Sequence, residues 1–218
     1  MRHRLLRAEI IETARRMQVV GLNQGTSGNL SVRVDDRFLV TPSGVPYDLM
    51  QEDEIVEMRL DGQVVGEGTP STEWRIHRDI LACRADVDVV LHAHPMFATA
   101  LACLRREIPA FHYMVAVAGG DSIRCAPYAR FGTQALSDLA VQALAGRRAC
   151  LLANHGLLTL ATTLRAALAL AVEVETLAGQ YLRTLEVGEP NLLSATEMDE
   201  VLEAFAGYGQ PSRRRKAY

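Results

Sequence analysis

The chain has 218 residues, with 23 Lys+Arg set against 26 Asp+Glu for a formal net charge of -3. A mildly acidic chain lacks the positive field that a phosphate backbone demands, which argues against a dedicated nucleic-acid binder. Hydrophobic residues make up 49% and charged residues 22%, the balance of a folded globular chain rather than a disordered one.

No window approaches the ~18 consecutive apolar residues of a membrane span, and MRHRLLRAEIIETARRM mixes charge with apolar residues at helical spacing. It reads as an amphipathic helix, neither span nor signal peptide. Cys83, Cys103, Cys125 and Cys150 form no Cys-x-x-Cys pair and are expected to be reduced, mostly buried thiols of a cytoplasmic protein. The only lysine is Lys216, which disfavours any mechanism through a buried Schiff-base lysine.

In chain order, Leu6, Ile10, Ala14 and Met17 share one face of a first helix that Gly21 would stop. Leu30, Val32 and Val34 alternate with polar residues as a strand, Asp35-Asp36 turns, and Phe38 to Thr41 pairs back. Ile55 to Leu60 and Gln63 to Val65 form a hairpin about Asp61-Gly62. Ser71 caps a helix running to about Ala85, Val87 to His94 is a strand, and Pro95 starts another helix. A helix follows Gly132-Thr133, Ala149 to Ala153 is a buried strand, and Thr163 to about Glu186 is the longest helix. Ser194-x-x-Glu197 is a capping box for a last helix through Phe205. No repeat or linker divides the chain, so residues 1–218 are expected to be one domain, with a core of about 5–206 and a basic tail at 209–218. The interleaved elements and early hairpins predict an α/β fold: a three-layer α/β/α domain with a mainly antiparallel or mixed central sheet.

His92-Ala93-His94 places two imidazoles at a strand end, on one face because side chains alternate along a strand. A third ligand must come from elsewhere. His155, in Asn154-His155-Gly156 after the apolar stretch ACLLA, would sit at the end of a buried strand. His77, four residues after Glu73 on the same helix face, is a rival ligand or a packed or solvated helix residue, and His3 lies in a charged terminus unsuited to a ligand. Three neutral imidazoles would leave Zn²⁺ its full charge and an open position, which suits Lewis-acid catalysis.

Three small-residue segments could donate hydrogen bonds to an anion: Gly25 to Asn29, Thr41 to Gly44, and Thr69 to Thr72. The last opens a helix, where free N–H groups and the dipole attract phosphate. Glu73, in the first turn of that helix, either complements the dipole or acts as a general base beside phosphate and metal.

Taken together and in order, GLNQGTSGN at Gly21 to Asn29, TPSG at Thr41 to Gly44, STEW at Ser71 to Trp74, HAH at His92 to His94, HYM, AGG and CAPYARFGT between His112 and Thr133, and NHG at Asn154 to Gly156 resemble the class II aldolase/adducin family over nearly the whole chain. The resemblance implies zinc held by His92, His94 and His155, with Glu73 as acid/base that can also approach the metal. It implies a phosphate cradle of Gly28, Asn29, Ser43, Gly44, Ser71 and Thr72, and a Tyr113 supplied by a neighbouring subunit. It places Phe131, Phe205 and Tyr208 at the aldehyde end, the alternative for these aromatics being core packing. The assembly it implies is a homotetramer with active sites at subunit contacts, and the partner is a small sugar phosphate.

The implied activity is reversible cleavage of a ketose 1-phosphate, L-fuculose 1-phosphate first, to dihydroxyacetone phosphate and L-lactaldehyde. Three alternatives share the fold. An aldolase or dehydratase of 5-deoxyribulose or methylthioribulose 1-phosphate would differ in its aldehyde pocket. An L-ribulose 5-phosphate 4-epimerase would carry Asp at the place of Glu73. An adducin-like scaffold would lack the full metal set.

Overall fold

The computed structural model describes residues 2–207, so Tyr208 and the basic tail at 209–218 lie outside the described residues. Helix α1 spans Arg4–Val19 and buries Ile10, Ala14 and Met17. Strands β1 (Asn29–Val34), β2 (Arg37–Val40), β3 (Val56–Arg59) and β4 (Val64–Val65) form an antiparallel meander. Gly62 turns β3 into β4 with φ 92°. Helix α2 (Trp74–Cys83) then leads to β5 (Val89–Ala93), and α3 (Met96–Cys103) follows directly. A 3-10 helix at Tyr113–Ala118, the short β6 (Cys125–Ala126) and α4 (Gln134–Ala143) precede the hairpin of β7 (Ala149–Leu152) and β8 (Gly156–Ala161). Helices α5 (Leu164–Val187) and α6 (Ala195–Gly207) complete the described chain.

The eight strands form one sheet in the order β4-β3-β2-β1-β5-β8-β7-β6. Only β6 and β7 pair in parallel, so the sheet is mixed and mainly antiparallel, as expected. Alternation along β5 divides the core in two. Val89 and Leu91 pack with α1, α3 and α5 residues such as Met17, Leu101 and Val174, while Val90 packs with α2 and α4 residues such as Ile80 and Leu136. These are the two outer layers of a single α/β/α domain. Among the described residues no helix is long and apolar enough to cross a membrane.

Several local expectations change. The stretch after Asn154 contains a further strand, β8, so His155, expected at the end of a buried strand, lies in the turn that joins buried β7 to β8. Helix α2 begins at Trp74, which makes Glu73 its N-cap residue rather than a member of its first turn. The cysteines are not mostly buried: Cys83 and Cys103, at the ends of α2 and α3, are exposed, and only Cys150, within the central sheet, is buried. The capping box holds, with Glu197 Oε2 accepting from Ser194 N at 2.7 Å.

Candidate active site and metal centre

Every group of the predicted metal centre converges on the α2 side of the sheet. His92 and His94 share the parity of Val90, and their Nε2 atoms stand 2.8 Å apart. His155 is delivered by the tight β7–β8 turn, in which Asn154 adopts a left-handed φ of 54° and His155 N donates to Leu152 O at 3.0 Å. Gly156 permits the close approach, since a Cβ there would lie 2.4 Å from Ala93 O and 2.7 Å from His94 Cδ2. The strand end is held from the other side by Asn23, whose Oδ1 accepts from His94 N at 2.9 Å.

Glu73 completes the cluster. Its side chain makes no capping hydrogen bond and turns instead into the site, 3.1 Å from His92 Nε2 through Oε2 and 3.3 Å from His155 Nε2 through Oε1. Ligand atoms of Glu73, His92, His94 and His155 all lie within 4.8 Å of one another. Glu73 and His92 are almost wholly buried, at 6% and 1% exposure.

These residues fit a divalent cation. Glu73 Oε1 is buried without a hydrogen-bond partner, and a buried carboxylate oxygen left unpaired is costly. His92 Nδ1 lies 3.0 Å from Leu157 O, and a carbonyl only accepts, so Nδ1 carries the ring proton and Nε2 faces the cluster. Three imidazole rings and a carboxylate with ligand atoms this close offer the nitrogen and oxygen donors that a divalent cation takes.

The electrostatics agree. Burial pushes the Glu73 carboxyl up, but the charge and hydrogen bond of His92, aided by His155 and Asn29, hold it well below the usual carboxylate range. Burial pulls His92 down, yet Glu73 raises it above the ordinary imidazole value. Burial, then the charge of His92, lowers His94 to about 3 and His155 to about 4. Both therefore offer neutral nitrogens at neutral pH.

The predicted phosphate segments open onto the same cavity, of about 350 Å³. Gly28, Asn29, Ser43, Gly44, Ser71 and Thr72 line it together with Glu73, His94 and His155. Ser43 N and Ser71 N already donate to Thr69 O and Thr41 O, so the hydroxyls are what these two serines offer a ligand. The first segment is tied down by Tyr47, whose hydroxyl lies 2.9 and 2.7 Å from Ser27 O and Gly28 O. Burial raises that phenol and keeps it a donor. The Asn29 side chain does not face the cavity as a free donor: its amide lies between Glu73 Oε2 and His77.

His77 is fully buried and bonded to Ser31 and Asn29, which settles the open alternative in favour of a packed residue outside the metal cluster. Phe131 lines the cavity at 62% exposure. Tyr113 is half exposed and does not line it; its ring stacks on Phe205 with centroids 6.4 Å apart. Phe205 packs against the α1/α3/α5 core, away from its own chain's cavity. Sequence reasoning did not assign Tyr128 and Asn154, which line the cavity too. Asn154 had a signal: an Asn before the candidate ligand His155 is suited to a left-handed turn.

Comparison with known proteins places the chain in a family. The model of the family "Class II Aldolase and Adducin N-terminal domain" matches residues 8–182. A 5-methylthioribulose-1-phosphate/5-deoxyribulose-1-phosphate aldolase of Rhodospirillum rubrum is 53% identical over 204 residues, 94% of this chain and 92% of that protein. An L-fuculose phosphate aldolase of Escherichia coli is 47% identical over 210 residues, 96% of this chain and 98% of that protein. A solved L-fuculose 1-phosphate aldolase superposes with a TM-score of 0.89 at 42% identity, covering 92% of this chain and 95% of that one. The chain therefore belongs to the class II aldolase/adducin family and is one of its aldolases.

Proposed function

We propose that this chain cleaves a 1-phosphoketose whose far end is deoxygenated and apolar, releasing dihydroxyacetone phosphate and a short aldehyde. The observation that carries this reading is the opening of the carboxylate–histidine cluster and the hydroxyl-rich loops onto one cavity. L-Fuculose 1-phosphate, 5-deoxyribulose 1-phosphate and 5-methylthioribulose 1-phosphate all belong to this class, giving L-lactaldehyde, acetaldehyde and methylthioacetaldehyde. The exposed rings of Tyr128 and Phe131 at the cavity suit a methyl or methylthio terminus, and the relatives at 53% and 47% identity are named for these substrates.

His92, His94 and His155 would hold the metal, with Glu73 as a fourth ligand in the absence of substrate. Zinc suits this nitrogen and oxygen donor set, and when bound it supplies Lewis-acid polarisation of the substrate's carbonyl and adjacent hydroxyl oxygens. Ser43, Gly44, Ser71 and Thr72 bind the phosphate and fix the ketose's position. As the bond between C3 and C4 breaks, its electron pair passes to C3 and the C4 hydroxyl gives up its proton. Tyr113 takes the C4 hydroxyl proton and passes it to solvent. Glu73, an ionised carboxylate positioned by His92 and Asn29, takes one proton up and delivers it to C3, so that one proton is lost and one gained. The family resemblance implies a homotetramer with sites at subunit contacts, in which Tyr113 serves the cavity of a neighbouring copy; its position outside its own chain's cavity is compatible with that.

The test is a panel of L-fuculose 1-phosphate, ribulose 1-phosphate, 5-deoxyribulose 1-phosphate, methylthioribulose 1-phosphate and L-ribulose 5-phosphate, with products identified. Aldehyde release from the deoxy substrates, faster than from ribulose 1-phosphate, is expected. Epimerisation of ribulose 5-phosphate without aldehyde would overturn the reading.

A further inference from the structure

His77 is 0% exposed and lies outside the group of four side chains positioned to hold a metal. Asn29 and Ser31 are two residues apart on β1, so both point to the face covered by α2, and the His77 ring spans them. Nδ1 is 2.7 Å from Ser31 Oγ and Nε2 is 2.5 Å from Asn29 Oδ1. On its other side Asn29 Nδ2 is 3.1 Å from Glu73 Oε2. Asn29 is also the cross-strand partner of His92, so the chain of contacts runs alongside the ligand it serves.

The hydrogens in this chain have one consistent arrangement. A carboxylate only accepts, so the Asn29 NH₂ group must face Glu73 and the Asn29 oxygen must face His77. That oxygen also only accepts, so His77 Nε2 carries the proton and Nδ1 is left to accept from the Ser31 hydroxyl. Donors therefore point the same way from Ser31 to His77, to Asn29, to Glu73, each bond polarising the next. Burial favours the neutral ring this requires.

We propose that His77 is a positioning residue for Glu73, acting through Asn29: as a neutral Nε2–H tautomer it fixes the amide that aims one carboxylate oxygen and leaves Oε1 for the metal and the reacting carbon. The proposal rests on the aldol reading for its kinetic consequence, but the tautomer does not depend on any substrate. In His77→Phe, which keeps ring volume and loses both polar contacts, kcat at saturating zinc should fall at least ~10-fold and zinc affinity ~10-fold, with KM for the ketose phosphate within about twofold of wild type. His77→Gln, able to donate to Asn29 Oδ1, should recover most of the loss. Asn29→Leu combined with His77→Phe should lose no more than Asn29→Leu alone.

¹⁵N NMR of the histidine-labelled whole protein, recorded without metal, should show His77 as the neutral Nε2–H tautomer. A charged ring or the Nδ1–H tautomer overturns the proposal, as does His77→Phe with wild-type kcat and zinc affinity, or with a loss confined to KM. Should His77→Phe fail to fold, Ser31→Ala takes its place, expected to give mixed His77 tautomers and a several-fold lower kcat; an unchanged tautomer and kcat there overturn it. If wild type cleaves nothing on the panel, the aldol reading falls alone, and the relay stands or falls on the tautomer and the zinc affinities.

Discussion

Glu73 Oε2 and His92 Nε2 face each other across 3.1 Å in the buried centre of the site. The carboxylate raises the ring above its ordinary pKa, so in the metal-free chain His92 holds its second proton to higher pH than a free imidazole, and below that point a cation must displace it. A protonated ring cannot ligate, so zinc affinity should fall about tenfold per pH unit as pH drops below the raised His92 value and level off above it. His94 and His155, lowered to about 3 and about 4, add no loss in the mildly acidic range. Chelator competition across pH measures this, and a flat profile would contradict the pairing.

Glu73→Gln keeps the shape of the side chain and one oxygen while removing the charge and the proton acceptor. Metal per chain should remain near wild type at saturating zinc, and kcat should drop at least ~100-fold, the scale of a lost general acid/base. Normal turnover in this variant removes Glu73 from the proton transfer.

Chelation should abolish ketose phosphate cleavage and leave the fold in place. His94 and His155 lie outside the strands, and His92 takes its place in β5 between Asn29 and Leu158 through its backbone, so the sheet ladder does not need the ion. Circular dichroism should be unchanged, with a Tm lowered only by the lost binding free energy. Unfolding on chelation would mark the ion as structural.

Gly156→Ala alters no donor or charge, yet its Cβ would meet Ala93 O at 2.4 Å. Backbone must move where β8 leaves the ligand turn, which displaces His94 against His155. A stability loss of about 2 kcal/mol and at least tenfold weaker zinc binding are expected. Wild-type zinc affinity would show that the turn tolerates the group.

Tyr113→Phe should leave zinc binding and solvent exchange of the C3 proton of dihydroxyacetone phosphate intact while slowing carbon–carbon cleavage. Equal losses in both would contradict its assignment to the aldehyde half.

What could be read in advance depended on whether position along the chain implied position in space. The His92–His94 pair was legible because parity on a strand is local, and the helix of Thr163 to Glu186 because its period is. The β8 strand was not, since only Ala153-Asn154-His155 stand between it and β7, and the tight reversal there depends on the left-handed backbone at Asn154. The direction of Glu73 was equally hidden: whether an acidic residue at a helix start caps the helix or leaves it depends on what β5 and β8 present opposite. The open choice at His77 was closed only by docking of α2 onto β1, which supplies both polar partners at once.

The metal ligands are carried by β5 and by the turn into β8, the fourth and third strands from the β6 edge, whereas Thr41 to Gly44 is tied to Thr69 to Ser71 by one bridge between Pro42 and Pro70 and the few bonds around it. Amide hydrogen exchange should accordingly be slowest beneath the imidazoles and fastest along the serine-bearing loops. On gradual denaturation the chain would relinquish its grip on phosphate while still retaining its ion.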